Sequence, residues 1–217
     1  MINIQTMPQV LLTIPVEVRL RKMEAVWTLV EGTGQSQFCC QMFGPQPENE
    51  EFLDGWTIRD RFLGLRRNQS DLLRFLQWAG KFPNVVLSSS YEISVFWKWQ
   101  DIFREALLQK NVNWRKGFQS FPVLFIEERL ADVRFTLRGK GPKAVVQASC
   151  GLYAIATTVE LDIASGADFK WCARPDCPKK IFKPSSRHQT KYCSYDCAHL
   201  QSVRNSRGTI VTPEGEF

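Results

Sequence analysis

Histidine is almost missing from this chain: 217 residues contain two, His188 and His199. Both fall in one short segment, which leaves little for acid–base or triad chemistry built on imidazole. Long apolar runs are missing too. None approaches the roughly 18 to 20 residues needed to span a bilayer, so no membrane partner is expected. The opening Met1-Ile2-Asn3-Ile4-Gln5-Thr6 has neither the basic stretch nor the uninterrupted apolar stretch of a secretory signal. The expected compartment is the cytoplasm, where thiols stay reduced. There is no internal repeat and no low-complexity tract. Gly139-Lys140-Gly141-Pro142-Lys143 lacks the spacing of a phosphate loop and reads as a turn.

Burial capacity, in contrast, is ample. The chain is 44% hydrophobic, with seven Trp and fifteen Phe, enough for one sizeable core with a small module attached. Residues 9–30 show β-branched enrichment and partial alternation, predicting one or two strands, with Pro15 directing the first towards a sheet edge. Residues 44–55, rich in Pro, Gly and acid, read as a solvated loop. Asn68 to Ala79 predicts a helix, capped by Ser70 and closed by Gly80 and Pro83. Ser94 to Lys110 predicts the clearest helix, with Phe96, Trp99, Ile102, Phe103, Ala106 and Leu107 at helical spacing. Trp97 and Trp99 are expected in the core. Phe121 to Ile126 is a short apolar run, and Val133 to Leu137 alternates like a half-buried strand. Ala144 to Ala164 reads as a helix with Leu152, Ile155, Ala156, Val159 and Ile163 on one face, closed by Ser165-Gly166. This mixed order gives an α+β fold. The expected organisation is a body over 1–166, a small module over 167–208 and a flexible tail over 209–217.

Charge is concentrated in the module. Residues 168–207 hold nine Lys or Arg and three Asp, a formal +6 that equals the net charge of the whole chain, while the rest balances at 19 of each sign. Cysteine is concentrated there as well. Cys39, Cys40 and Cys150 are scattered and expected as small buried hydrophobes, although the adjacency of Cys39 and Cys40 leaves a redox pair open. The other four follow the pattern Cys172-x4-Cys177, fifteen residues, then Cys193-x3-Cys197. Two short-spaced pairs on a returning loop suit one tetrahedral zinc ion with Zn–S distances of about 2.3 Å. Pro175 and Pro178 flank the Asp176-Cys177 corner and favour a knuckle. Ile181-Phe182 reads as a short covering strand. Ser194 stands where a helix opens, which places Cys197 in its first turn, beside amides that favour a thiolate. Disulfides are disfavoured without a secretory signal, and neither pair has the two-residue gap of a redox motif. An iron–sulfur cluster takes the same ligand type, so that alternative stays open, as does His199 in place of one cysteine. With one Zn²⁺ on four thiolates the module would carry about +4.

The segment from Trp171 to Arg207 resembles the CGNR-type zinc finger, found at the C-terminus of bacterial proteins regarded as stress-induced transcription regulators. The resemblance spans about residues 144–207. It rests on the cysteine spacing, Arg174-Pro175-Asp176, Phe182, Ser186-Arg187, Tyr192-Cys193-Ser194, and Val203, Arg204 and Arg207 on the trailing helix. The motif that names the family reads here Cys197-Ala198-His199-Leu200, without its Asn and Arg. The resemblance implies a structural zinc ion and DNA as partner. On a helix from 194 to 207, Arg204 and Arg207 share a face with Gln201 and Asn205 beside them, and these would contact base edges or phosphates. Lys179, Lys180, Lys183, Arg187 and Lys191 would supply non-specific phosphate contacts. The alternative is a zinc-stabilised module that binds a protein, with a body that binds a partner or a small ligand. Catalysis is not expected, because four cysteines leave the metal no open position.

Overall fold

A computed structural model describes residues 16–21, 25–31, 36–42, 50–80, 82, 88–111, 113–118, 131–137, 142–148, 150–177, 179–185 and 191–207. The chain order is β1 (Val16–Arg21), β2 (Ala25–Glu31), β3 (Ser36–Met42), β4 (Glu50–Asp54), α1 (Gly55–Leu63), α2 (Gln69–Ala79), β5 (Ser88–Glu92) and α3 (Ile93–Gln109). After a 3-10 turn at Trp114–Phe118 come β6 (Ala131–Leu137), β7 (Pro142–Ala148), α4 (Gly151–Ala164), β8 (Lys170–Trp171), β9 (Ile181–Phe182) and α5 (Tyr195–Ser206). The fold is α+β, as the mixed sequence pattern predicts.

Among the described residues the strands form three sheets, in the orders β4-β1-β7-β6, β2-β3-β5 and β8-β9. Only the β1–β7 pair is parallel. Three sequence expectations are corrected here. The strand after Pro15 is internal, held between β4 and β7, because Val16 onward supplies the ladder donors and a proline ahead of the first paired residue blocks nothing. Glu50–Asp54, expected as solvated loop, pairs antiparallel with β1, and Gly55 opens α1. The helix expected from Ala144 begins at Gly151, and Pro142–Ala148 is strand. Val145 and Val146 suit either state, and ladders from β1 and β6 decide for strand. The tail at 209–217, the run at 121–126 and the turn at 139–141 lie outside the described residues.

Helix α4 is the axis of the core. Gly151 through Val159 are all buried, so the burial runs all round it and exceeds the single face its sequence shows. Its two buried threonines return their hydroxyls to the helix, Thr157 donating to the Tyr153 carbonyl and Thr158 to that of Ile155. Phe62, Phe75, Phe82, Phe96 and Trp99 form a buried ring cluster beside it, with Trp97 half-buried at its margin. Gly151 is required there: a Cβ would stand 2.9 Å from the Phe82 ring, and Leu152 N–H donates to the Phe82 carbonyl at 2.7 Å. Helix α2 is capped by Asn68, whose side chain accepts from Asp71 N–H, two residues earlier than the expected Ser70. At the C-terminus of α1, Gln100 and Arg104 of α3 donate to the Phe62, Leu65 and Leu63 carbonyls, which closes orphan acceptors from another helix.

The small sheet belongs to the same core. Phe169, just before β8, and Ile181 on β9 are buried in one cluster with the body's aromatics. Below them Asp162, 2% exposed on α4, accepts from Arg59 of α1 at 2.5 Å and from Lys183 at 3.0 Å. The Arg59 guanidinium also lies over the rings of Trp56 and Phe169.

Candidate metal centre

The four clustered cysteines converge because two unrelated local structures face one another. The first is a knuckle. Strands β8 and β9 pair antiparallel, Lys170 with Phe182 and Trp171 with Ile181. Between them Cys172 N–H donates to the Lys180 carbonyl at 2.6 Å, Cys177 N–H to that of Arg174 at 3.1 Å and Lys180 N–H to that of Cys177 at 3.2 Å. Lys180 takes a left-handed conformation at φ 50° to close the turn. The second is a helix start. Ser194 caps α5, its hydroxyl accepting from Cys197 N–H at 3.2 Å, so Cys197 lies in the first turn, as its sequence position predicts. Ala173 N–H donates to the Lys191 carbonyl at 2.7 Å and ties the two parts together.

All four sulfurs lie within 4.8 Å of one another. Three separations are 3.4 Å for Cys193–Cys197, 3.5 Å for Cys177–Cys193 and 3.7 Å for Cys177–Cys197. A tetrahedral centre with Zn–S of about 2.3 Å has sulfur edges of about 3.8 Å, so the donor set fits one ion of that size. In an iron–sulfur cluster the cysteines are divided among two or more irons, whereas this spacing suits a single ion. Cys177 and Cys197 are buried, Cys172 and Cys193 half-buried, and no disulfide joins any of the four. Burial raises the Cys177 and Cys193 thiols, and Cys193 rises further because its neighbours also carry sulfur. Burial acts the same way on Cys197, but hydrogen bonding from Ser194 and the other thiols outweighs it and lowers that thiol. Four thiols packed this way repel as thiolates, and a cation in their midst removes that cost.

A charged clamp holds the two halves. Arg204 on α5 donates both guanidinium arms to the Asp176 carboxylate in the knuckle, at 2.6 and 2.9 Å, and Arg174 pairs with the same group at 3.1 Å. The Arg204 hydrogen bonds hold the Asp176 carboxyl down at about 2.

The residues expected to meet nucleic acid are placed in three ways. Arg204 is committed to Asp176, Lys183 to Asp162, and Gln201 donates to Asn205 at 3.0 Å. Lys179, Lys180, Lys191 and Arg207 are exposed. Arg187 lies outside the described residues, as does His188. His199 is outside the sulfur cluster: its ring stacks on Tyr195, 6.1 Å between centroids and 7° from parallel. Sequence reasoning missed Asp176 as the clamp, Asp162 as the seat for Lys183, and Tyr195 as an exposed ring. The Arg174-Pro175-Asp176 tripeptide hinted at the first, and the other two had no local signal.

The chain matches no family model, no curated protein and no solved structure. Among the described residues no helix is long and apolar enough to cross a membrane.

Proposed function

We propose that Cys172, Cys177, Cys193 and Cys197 hold one structural zinc ion, and that the module so folded binds nucleic acid as part of a transcription regulator of the kind its CGNR-type resemblance implies. Zinc is the ion that four close thiolates favour in a closed tetrahedral site. With no position left for water or substrate, the metal organises the module and does no chemistry there. The observation that carries the nucleic-acid reading is the placement of charge. The module holds the whole net charge of the chain, and Lys179, Lys180, Lys191 and Arg207 stand exposed around the knuckle and the end of α5.

Fluorescence anisotropy of the zinc-loaded protein with labelled duplex and single-stranded oligonucleotides tests this reading. Three neutralised phosphates predict an affinity loss on the order of 40-fold between 50 and 200 mM salt. Binding to neither form, or binding indifferent to salt, overturns it. A second reading, a zinc-stabilised module that binds a protein, is supported by the exposed Trp171, Tyr195 and Leu200. Stable co-purification of a protein partner, with no oligonucleotide binding, would select it.

A further inference from the structure

We infer that the outer face of α5 is a stacking platform for the unpaired bases of a single-stranded nucleic acid, an inference that rests on the nucleic-acid reading above. Tyr195, at the first position of α5, is 82% exposed, although a tyrosine ring ordinarily finds cover. One turn later the exposed His199 lies parallel to it, so two flat rings are held side by side in water. Leu200, 45% exposed, adds apolar surface elsewhere on the same helix. An unstacked base covers such rings at little cost, since every base offers a π-face. A duplex keeps its bases stacked on one another and offers none.

The groups suited to a duplex groove point the same way. Reading base edges calls for open guanidinium and amide groups. Arg204 has both arms on Asp176, and Gln201 is bonded to Asn205. Among the groups the module leaves exposed are Lys179, Lys191 and Arg207, and their charge suits a phosphate backbone. Asp196, next to Tyr195 in the first turn of α5 and also exposed, opposes a phosphate placed beside it. The strand would therefore cross the rings with its bases inward and its phosphates towards Arg207 and the knuckle lysines.

The test uses full-length zinc-loaded protein and labelled mixed-sequence 20-mers, as single strand and as duplex, at two salt concentrations. The expected result is tighter binding of the single strand. Tyr195→Ala with His199→Ala should weaken that binding by roughly tenfold or more and leave its salt slope unchanged. Tyr195→Phe should retain it. Lys179→Ala, Lys191→Ala and Arg207→Ala together should flatten the salt slope. Both rings are exposed, and zinc content measured on each variant shows that the module still folds. Binding of the single strand undiminished in the ring variant overturns the platform and leaves the nucleic-acid reading standing, as does a preference for duplex. Loss of self-association in the ring variant, seen by sedimentation without a change in strand binding, assigns the face to a second copy of this chain and overturns the platform. Absence of binding to any oligonucleotide removes both.

Discussion

Asp176 precedes Cys177 by one residue and receives the guanidinium of a residue 28 positions away, so its role is to lock α5 against the knuckle. Both groups remain partly exposed, where water and salt screen an ion pair. Arg204→Ala should therefore lower module stability only slightly, measured by resistance to a chelator. It should weaken nucleic-acid binding only through that loss, since the arginine is already occupied. The cysteines divide the same way by surroundings. Burial pushes the Cys40 thiol up to about 11 from 9.0, which argues against a redox pair with Cys39. The folded chain holds that proton where the unfolded chain releases it, so stability falls as pH rises from about 9 to 11. A thiol reagent at pH 8 should leave Cys40 and Cys150 unmodified in the native protein. Replacing Cys177 or Cys197 by Ser should remove most bound metal, measured by elemental analysis, because a three-sulfur site loses an anionic ligand.

At the scale of elements, α4 meets each of its neighbours by a different device. At its start the chain passes so near Phe82 that only a hydrogen fits on residue 151. Gly151→Ala drives a methyl into a packed ring and should cost about 1–3 kcal/mol, seen as a lowered Tm. At its end Asp162 is shared between α1 and the small sheet. Arg59 is as buried as the carboxylate, while Lys183 is half exposed. Removing one partner of a buried pair costs about 3–5 kcal/mol. Arg59→Met is thus expected to destabilise the fold strongly and Lys183→Met only slightly, and denaturant unfolding of the two variants compares them. The strands follow another rule. Pro142–Ala148 is strand because two neighbours take its ladder groups on both sides, a choice that its own seven residues do not make.

For the molecule as a whole, body and module are not independent. Phe169 and Ile181 are buried with the body's aromatics, and Lys183 reaches Asp162. Metal removal is therefore expected to loosen more than residues 167–207. Chelation should raise hydrogen exchange in the last turn of α4 as well as in the module, while the aromatic cluster around Phe96 and Trp99 stays protected. A chain ending after Gly166 should fold with a lower Tm than the zinc-loaded protein, because the apolar seat of Phe169 and Ile181 is uncovered. Equal stability of the two would show that the shared packing contributes nothing.

The four-cysteine cluster able to take a metal ion was legible in the sequence alone, since ligand type, short spacing and turn chemistry are local properties. The same holds for α2 and α3, whose apolar residues recur at helical spacing, and for the start of α5, which Ser194 caps. Tertiary structure decided what depends on distant partners. The placement of β1 inside its sheet, the strand at 142–148 and the burial of α4 on every side follow from neighbours far along the chain. So does the diversion of Arg204 and Lys183 to Asp176 and Asp162. A basic side chain reads the same in sequence whether it faces water or a carboxylate, and only the fold brings the carboxylate within reach.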